Sequence, residues 1–365
     1  MRQPSAWAAR ALLAALLLLR LALHFLLYRS GFIALTADEF GRTIAAATWL
    51  RSPEWYGSGA WLPLYNYLLG GALAIKWELL WLPRLIAILS GLLAILLIAR
   101  LTTTLFSNRT MGLVSALLLA VNPVHLWLSS TGLTEGPVIT LTLAALWAFV
   151  RYVSRRRLRA LVLAAASLAV ANGLRYETWV ISLLFAAGVA YVWQRDRRSG
   201  WQLPLLALIP FLFPMIWLFG AFMESGSPFS FMGEITGYKR QWYGATADYG
   251  LYLRTFWRID PYLLIFGLVA LAKALGDNRR TLSVWWYGAI VTLPLFIYIL
   301  LHGGQPEPTG NALRYLAQYA IVFYPALSYL LVRAVSRTGG AVRPADRPAD
   351  PGGNNLHPTA RRFSV

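Results

Sequence analysis

Acidic side chains at the ends of apolar stretches are the residues that could do acid–base chemistry in this sequence. Asp38 and Glu39 follow the first apolar stretch, and Glu135 is the only acid in a short segment between two later ones. Neighbouring helix positions point about 100° apart, so one carboxylate of the pair can face the protein while the other does not. A carboxylate at a membrane boundary is costly unless it faces a partner or a cavity. We therefore expect Asp38 or Glu39, together with Glu135, to act as catalytic acids or bases.

Helix capping is the alternative role for the same carboxylates. Thr36 or Asp38 could cap the helix that follows, with acids in its first turn stabilised by the helix dipole. Glu135 could likewise lie in the first turn of a helix that continues through Pro137. The sequence leaves both roles open.

An arginine followed by a tyrosine occurs at two boundaries of apolar stretches. In the run Arg175-Tyr176-Glu177, the guanidinium could pair with Glu177, with Glu135 or with an anionic ligand. The run Arg314-Tyr315 opens the last apolar stretch. For Arg175 a structural salt bridge is the simpler alternative, whereas Arg314, a cation at an outer membrane boundary, indicates an anionic ligand.

Two further pairs of basic residues fit ordinary structural roles. Lys239 and Arg240 lie in a longer and more exposed segment, where a solvated face is the simpler explanation. Arg20 and His24 lie one turn apart inside the first apolar stretch. For these two we expect snorkelling towards the interface or pairing within the protein.

The sequence lacks the motifs of several other chemistries. It has no cysteine, and its four histidines are scattered without the H-E-x-x-H spacing of zinc proteases. No P-loop, G-x-S-x-G or G-x-G-x-x-G motif occurs, so we expect no nucleotide or redox cofactor. Asp38 and Glu135 could share a divalent cation through oxygen ligands, so the use of a metal stays open.

The composition places these residues in a membrane protein. The chain has 365 residues, of which 58% are hydrophobic and 13% charged, and its mean hydropathy is +0.54. Ordinary soluble domains contain about 25% charged residues, so a soluble globule is excluded. Ten apolar stretches are long enough to cross a bilayer. They are residues 9–29, 82–105, 110–128, 137–154, 159–175, 178–194, 203–223, 259–276, 282–302 and 316–335.

The basic residues alternate between the two sides of these stretches. With a cytoplasmic N-terminus, nearly all of the net charge of +18 falls in the inner segments, as the positive-inside rule requires. Topology therefore explains the charge, and nucleic acid is not an expected partner. The first stretch is too long for a signal peptide and lacks a cleavage site, so we interpret it as a retained anchor.

Two outer segments, residues 30–81 and 224–258, are much longer than the others. Both are amphipathic and rich in aromatic residues, which is typical of helices in the membrane interface. We therefore expect any chemistry on the outer face. Residues 1–337 are predicted to form one membrane domain, and residues 338–365 a disordered cytoplasmic tail. The predicted fold class is all-α integral membrane, with about ten transmembrane helices and interfacial helices in the two outer segments.

The order of the motifs resembles that of GT-C-type glycosyltransferases that use polyprenyl-phosphate sugars. This superfamily includes protein O-mannosyltransferases and the bacterial aminoarabinose transferases that act on lipid A, and the resemblance covers residues of about 10–336. The motifs that carry it are, in order, Asp38-Glu39, Trp61-Leu62-Pro63-Leu64-Tyr65-Asn66-Tyr67, Arg84, Asn122-Pro123, Glu135, Arg175-Tyr176-Glu177 and Arg314-Tyr315.

The sequence departs from the family pattern at one motif. Relatives often carry a histidine or lysine with two prolines before Leu-Tyr-Tyr, whereas this chain has Trp61-Leu62-Pro63. A phosphate contact that relatives supply there must come from elsewhere in this chain. Lys76 or Arg42 could replace it.

The resemblance implies transfer of a sugar from a polyprenyl-phosphate donor to an acceptor hydroxyl on the extracytoplasmic face, with inversion. It implies Asp38 as the base with Glu39 as its rival, and Glu135 as a second acid or a group that positions the acceptor. The implied donor-phosphate ligands are Arg314, Arg175, Lys239, Arg240 and Arg42. The implied acceptor-binding or positioning residues are Tyr65, Tyr176, Glu177 and Tyr315.

A polytopic transporter or lipid flippase is the alternative function, and a scaffold without catalysis is a third. A transporter would need polar or broken spans near the midplane, whereas most stretches here are unbroken leucine, alanine and valine. The acceptor could be a glycan, a lipid or a protein, and the sequence shows no appended soluble domain that would favour a protein. Arginine outnumbers lysine 30 to 3, from which we infer a bacterial plasma membrane.

Overall fold

A computed structural model describes residues 3–55, 61–195, 200–243, 250–302 and 309–338, and every regular element in them is helical. The helices are α1 (Ala6–Arg29), α2 (Asp38–Arg51), α3 (Leu64–Ile75), α4 (Trp81–Phe106), α5 (Arg109–Val121), α6 (Pro123–Leu128), α7 (Glu135–Arg155), α8 (Leu158–Leu174), α9 (Thr178–Arg195), α10 (Gln202–Leu208), the 3₁₀ turn Ile209–Phe211, α11 (Leu212–Ser225), α12 (Ser230–Tyr243), α13 (Gly250–Ile259), α14 (Pro261–Asp277), α15 (Leu282–His302), α16 (Thr309–Ile321) and α17 (Tyr324–Thr338).

Five helical segments in these residues are long and apolar enough to cross a membrane. They are α1, α4, α7, most of α15, and the segment Gln202–Ser225 that contains α10 and α11. Helices α16 and α17 pass the same test only together; they are bent by 53° at a short break, which fits either one broken span or a re-entrant loop. The other four predicted stretches correspond to α5 with α6, α8, α9 and α14. The chain is therefore a multi-pass membrane protein, and the number of ten spans stays a prediction.

The described parts of the two long outer segments contain four helices. Helices α2 and α3 lie in the first segment and pack against each other, with Ala46 and Leu69 fully buried between them. Helices α12 and α13 lie in the second segment. Their placement in the membrane interface stays a prediction. The predicted tail lies outside the described residues from residue 339 onwards.

Helix α1 buries a polar side, as expected of a helix between the protein and lipid. Its two buried side chains are Arg20 and His24, whereas leucines on its other side are exposed. Arg20 donates hydrogen bonds to the carbonyl oxygen of Ala120 (2.9 Å) and to Oγ of Ser129 (2.6 Å). His24 Nδ1 lies 2.8 Å from Oγ of Ser130. Pairing within the protein, one of the two expectations for these residues, is therefore what the structure shows.

The break between α5 and α6 falls at the Asn122-Pro123 motif. Asn122 Oδ1 accepts from the backbone N–H of His125 (2.7 Å) and caps α6. The side-chain amide of Asn122 donates to the carbonyl oxygen of Ile259 (3.2 Å) and to the Tyr324 hydroxyl (2.9 Å). Asn122 therefore joins the start of α6 to the end of α13 and the start of α17. These contacts fix where α6 begins, and α6 leads into the segment before α7.

The backbone turn between α6 and α7 is packed too closely for a side chain at Gly136. A Cβ atom built at Gly136 would lie 2.7 Å from the carbonyl oxygen of Leu128. In contrast, a Cβ atom at Gly71 in α3 would meet no atom within 4 Å. Gly136 and Gly71 therefore form a matched pair for substitution by alanine, one in a closely packed position and one in open space.

We predict that Gly136→Ala destabilises the protein by about 1–3 kcal/mol because the backbone must move to admit the methyl group. Gly71→Ala should be neutral or stabilising by about 0.5–1 kcal/mol because it removes backbone freedom from the unfolded chain. Thermal unfolding of both variants in detergent measures the difference. Equal melting temperatures would contradict the close packing at Gly136.

Candidate active site

Predicted site residues from four separate parts of the chain meet at one end of the helical bundle. Asp38 begins α2, Glu135 begins α7, Arg314 lies in α16 and Arg175 lies between α8 and α9. Their side chains form one connected network of ion pairs. Asp38 and Arg314 are 276 residues apart in sequence, so the tertiary fold alone brings them together.

Glu135 is the most buried carboxylate of this network, with its side chain 1% exposed. Its Oε1 atom lies 2.6 Å from Nη1 of Arg175 and 3.5 Å from Nε of Arg314. The preceding residue Thr134 takes the N-cap position of α7 without a side-chain capping bond. Glu135 therefore lies in the first helical turn, and its carboxylate is directed at two arginines.

Arg175 makes both of the ion pairs that the sequence left open. Besides Glu135, it binds both carboxylate oxygens of Glu177, from Nε to Oε2 at 3.0 Å and from Nη2 to Oε1 at 2.5 Å. Burial by itself lowers the pKa of the Arg175 guanidinium, but Glu177 and Glu135 outweigh burial and hold that pKa well above its ordinary value. Arg175 is therefore a fixed positive charge.

Arg314 joins the two candidate carboxylates. Its Nη2 donates to Oδ2 of Asp38, and its Nε atom faces Glu135. The Asp38 side chain is 28% exposed, compared with 3% for Arg314, so Asp38 is open to a reacting hydroxyl. The Tyr315 ring lies beside both arginines, with its centroid 4.8 Å from Cζ of Arg314 and 4.5 Å from Cζ of Arg175. This cation–π contact helps to hold the two guanidinium groups together.

Arg42 is a third arginine near this network, and two of its nitrogens lack a partner among the described residues. Its Nε and Nη1 atoms are buried without a hydrogen bond, while its Cζ atom lies 4.3 Å from the centroid of Trp61. Burial lowers the pKa of Arg42, and the charges of Arg175 and Arg314 lower it further, while Glu135 opposes them. A buried cation with free donors is the feature that an anionic ligand would satisfy.

Lys76, the other replacement considered for the missing family phosphate contact, lies elsewhere. It is the exposed C-cap residue of α3. Trp61 belongs to the motif that differs from the family pattern, and its ring packs against the guanidinium of Arg42. The structure therefore brings Arg42 to the candidate site and leaves Lys76 outside it.

One carboxylate oxygen of Glu39 is held by three donors, while its Oε2 atom is buried without a hydrogen bond among the described residues. Its Oε1 atom accepts hydrogen bonds from the backbone N–H groups of Leu35 and Thr36 and from Nε1 of Trp127, each at 3.0 Å. Neither Thr36 nor Asp38 caps α2, because its N-cap is Ala37. Trp127 was not among the predicted site residues, since a tryptophan inside an apolar stretch gives no signal of a specific hydrogen bond.

Hydrogen bonds from residues outside the candidate site hold two segments of the chain, the one before α2 and the one before α7. Arg84 donates to the carbonyl oxygen of Ile33 (3.0 Å) and lies over the ring of Tyr28 (4.8 Å). Tyr28 donates to the carbonyl oxygen of Ser130 (2.8 Å), next to the Ser129 contact of Arg20. These contacts hold the positions from which Asp38 and Glu135 begin their helices.

The remaining predicted residues differ in how close they lie to the network. Tyr65 is buried and lies close enough to Arg42 and Glu135 to interact electrostatically with both. Tyr176 stacks on Phe231 of α12, with centroids 4.7 Å apart, and so contacts the second outer segment. The side chains of Lys239 and Arg240, in α12, lie outside the described residues.

The network combines an accessible carboxylate with buried cations. Asp38 can accept a proton, and Arg314, Arg175 and Arg42 can stabilise a departing anion. Within the part of the chain that the structure describes, no group of three or more acidic or histidine residues could hold a metal ion. Asp38 and Glu135 are each paired with arginine, and the use of a metal stays a prediction.

We predict that Glu135→Gln destabilises the protein by about 3–5 kcal/mol because it leaves Arg175 and Arg314 buried beside each other without their shared carboxylate. Glu234→Gln, at an exposed position of α12, is the matched control and should melt like the wild type. Thermal unfolding in detergent compares the two. If both variants melted at the wild-type temperature, Glu135 would not be the group that balances these charges.

Comparison with known families and structures identifies proteins that share this arrangement of helices. The family model described as dolichyl-phosphate-mannose-protein mannosyltransferase matches residues 57–219, which is less than half of the chain. No curated protein sequence matches.

Solved structures match most of the chain. The apo oligosaccharyltransferase of Archaeoglobus fulgidus is 17% identical with a TM-score of 0.60, over 93% of this chain and 53% of its own. The same enzyme, AglB, in complex with an inhibitory peptide and a dolichol-phosphate is 15% identical with a TM-score of 0.57, over 94% of this chain and 53% of its own. ArnT from Cupriavidus metallidurans, bound to undecaprenyl phosphate, is 14% identical with a TM-score of 0.61, over 88% of this chain and 63% of its own.

This chain spans about half the length of the oligosaccharyltransferase structures that it matches. The resemblance that the sequence motifs indicated is confirmed by the family model and by the shared helical arrangement. The chain has the GT-C glycosyltransferase fold.

Proposed function

We propose that this protein is a membrane glycosyltransferase that moves a sugar from a polyprenyl-phosphate donor to an acceptor hydroxyl on the extracytoplasmic face, with inversion. The observation that carries the proposal is the network in which Arg314 joins Asp38 to Glu135. It is supported by two of the matched structures, one solved with dolichol-phosphate and one with undecaprenyl phosphate. The family model supports a mannosyltransferase-like enzyme.

The donor phosphate is proposed to bind where the three arginines meet. Arg42 has unpartnered donors, so it can bind a phosphate oxygen without breaking an existing bond. Arg314 is shared with Asp38, and Arg175 is held by two carboxylates. We therefore assign Arg42 and Arg314 as direct phosphate ligands and Arg175 as the charge that fixes Glu135. Lys239 and Arg240 stay predicted ligands from the second outer segment.

The proposed reaction is a single displacement at the anomeric carbon of the sugar. The acceptor oxygen forms a bond to that carbon while the bond from the carbon to the phosphate oxygen breaks. The acceptor proton passes to the Asp38 carboxylate, and the bonding electron pair leaves with the phosphate. Attack opposite the leaving group inverts the configuration.

The Asp38–Arg314 ion pair couples these two transfers. While Asp38 is ionised, it holds Arg314 by charge. When Asp38 takes the acceptor proton it becomes neutral, and the phosphate gains a second negative charge in the same step. Arg314 can then shift its hydrogen bond from the carboxyl group to the phosphate, so the cation follows the charge that develops in the reaction.

Glu39 is proposed to position Asp38, because its carboxylate fixes the backbone at Leu35 and Thr36 just before α2. Glu135 sets the positions of Arg175 and Arg314. Tyr65, Tyr176, Glu177 and Tyr315 stay proposed acceptor-binding or positioning residues. A divalent cation shared by Asp38 and Glu135 stays a prediction, and no step above requires one.

The acceptor is proposed to be a glycan, a lipid or a protein, and the location a bacterial plasma membrane with both termini in the cytoplasm. The transporter or flippase alternative predicts binding of a lipid-linked sugar without bond cleavage. The displacement proposed here predicts a new glycosidic bond. A transfer assay distinguishes the two functions.

We predict that Asp38→Asn lowers sugar transfer by about 10²- to 10⁴-fold because the asparagine cannot take the acceptor proton. The assay measures transfer from a panel of radiolabelled polyprenyl-phosphate sugars to endogenous membrane acceptors. Released product is examined for its anomeric configuration, which should be opposite to that of the donor.

Glu39→Gln is the matched control for Asp38→Asn. A glutamine Oε1 can accept the same hydrogen bonds from the backbone and from Trp127, so transfer should stay within about tenfold of wild type. Melting temperatures show whether each variant is folded. Loss of transfer in Glu39→Gln, with full transfer in folded Asp38→Asn, would assign the base to Glu39.

We predict that Arg42→Gln lowers kcat/KM for the lipid-phosphate sugar by about 10- to 100-fold, the value of one or two charge-assisted hydrogen bonds. Arg51→Gln removes an arginine from an exposed position of the same helix and should leave kcat/KM unchanged. Steady-state kinetics with varied donor concentration measure both. Equal kinetics in the two variants would remove Arg42 from the phosphate site.

A further inference from the structure

A cavity of about 410 Å³ lies between α1, α4, α5 and α7, away from the candidate active site. Each of these four helices contributes arginine to its lining: Arg10 from α1, Arg100 from α4, Arg109 from α5, and Arg151 and Arg155 from α7. Among the residues that the structure describes, no acidic side chain lines it. Five like charges around one cavity repel one another, so an anion inside it would lower the energy of the whole group.

The cavity lies at the opposite end of α7 from Glu135. Helix α7 has 21 residues from Glu135 to Arg155, which is about 30 Å at 1.5 Å per residue, or the thickness of a bilayer hydrocarbon core. The candidate active site and the arginine-lined cavity, which we call the basic cavity, are therefore at opposite faces of the membrane. By the positive-inside rule the basic cavity is on the cytoplasmic face.

Two of the arginines are held towards the same aromatic ring. The centroid of Trp147 lies 5.3 Å from Cζ of Arg151 and 5.6 Å from Cζ of Arg100. The Arg109 guanidinium donates to the carbonyl oxygen of Pro4 (3.2 Å), which fixes the chain just before α1. These contacts order the cations around the cavity, whereas topology alone requires only that they lie on one side of the membrane.

The rest of the lining is suited to a lipid. Leu13, Ala99 and Leu113 supply apolar wall, and Thr103 and Thr104 supply hydroxyl groups. Helix α1, which forms one wall, exposes leucines on its outer side and so borders the surrounding lipid. A second cavity of about 720 Å³ shares Arg109 and Arg155 with the first and extends it.

We propose that the basic cavity binds the headgroup of an acidic phospholipid from the inner leaflet. Phosphate oxygens pair with the arginines, and the glycerol and first acyl carbons lie along the apolar wall. Basic pockets between transmembrane helices on the cytoplasmic side are suited to such headgroups. This site is independent of the proposed transferase chemistry.

The full chain in detergent tests the proposal by thermal unfolding with three additives. Cardiolipin should raise the melting temperature in a saturable way, whereas phosphatidylcholine and inorganic phosphate should not. A rise with inorganic phosphate equal to that with cardiolipin would assign the site to a free anion and overturn the lipid proposal. A rise with phosphatidylcholine equal to that with cardiolipin would overturn the role of charge.

The double variant Arg100→Gln/Arg151→Gln should weaken cardiolipin binding by about 10- to 30-fold, since each cation near a membrane surface contributes roughly 1 kcal/mol. Arg157→Gln/Arg159→Gln removes the same charge from exposed positions at the same end, outside both cavities, and should bind like wild type. Affinity is taken from the concentration that gives half of each variant's own shift, so a change in basal stability does not affect it. Equal affinities in the two double variants would overturn the proposal.

Discussion

The arrangement at the active-site end depends on one buried carboxylate, that of Glu135. It lies within ion-pair distance of Arg175 and Arg314, and its charge also acts on Arg42. Buried guanidinium groups so close to one another would repel strongly without it. These ion pairs hold three parts of the chain together: the start of α7, the α8–α9 connection and α16. Each part carries a charge that is neutralised by an opposite charge on another part.

The charges of this site nearly balance in the structure, and the balance sets how an anion can enter. Asp38, Glu135 and Glu177 oppose Arg42, Arg175 and Arg314. Two carboxylates bind Arg175, and Asp38 binds Nη2 of Arg314. Among the described residues, two nitrogens of Arg42 and one of Arg314 are buried without a hydrogen bond. In the proposed reaction the donor phosphate binds Arg42 first, because Arg42 has the most unpaired donors. Arg314 then becomes available when Asp38 takes the acceptor proton, which ties the stabilisation of the leaving group to removal of that proton.

The sequence predicted those site residues whose type and position are unusual on their own. Charged residues at the ends of apolar stretches, such as Glu135 and Arg314, could be found because ionised groups there are costly. The bend between α16 and α17 was missed although it has a sequence signal: Pro325 follows the break directly, and a proline inside an apolar stretch ends or bends a helix. Trp127 could not be found, since its bond to Glu39 joins residues 88 positions apart. The sequence left Asp38 and Glu39 equivalent, and only the tertiary contacts distinguish the carboxylate bound by backbone donors from the one facing Arg314.

The arginines near the two ends of α7 differ in their partners. At the Glu135 end, Arg175 and Arg314 already have carboxylate partners, so an anion that binds them must compete with those partners. At the Arg155 end, no acid among the described residues lines the basic cavity, so the arginines there have no carboxylate partner within the described lining. Under the two proposals, binding at the first end must compete with these ion pairs, whereas binding at the second end depends on negative charge and apolar contact.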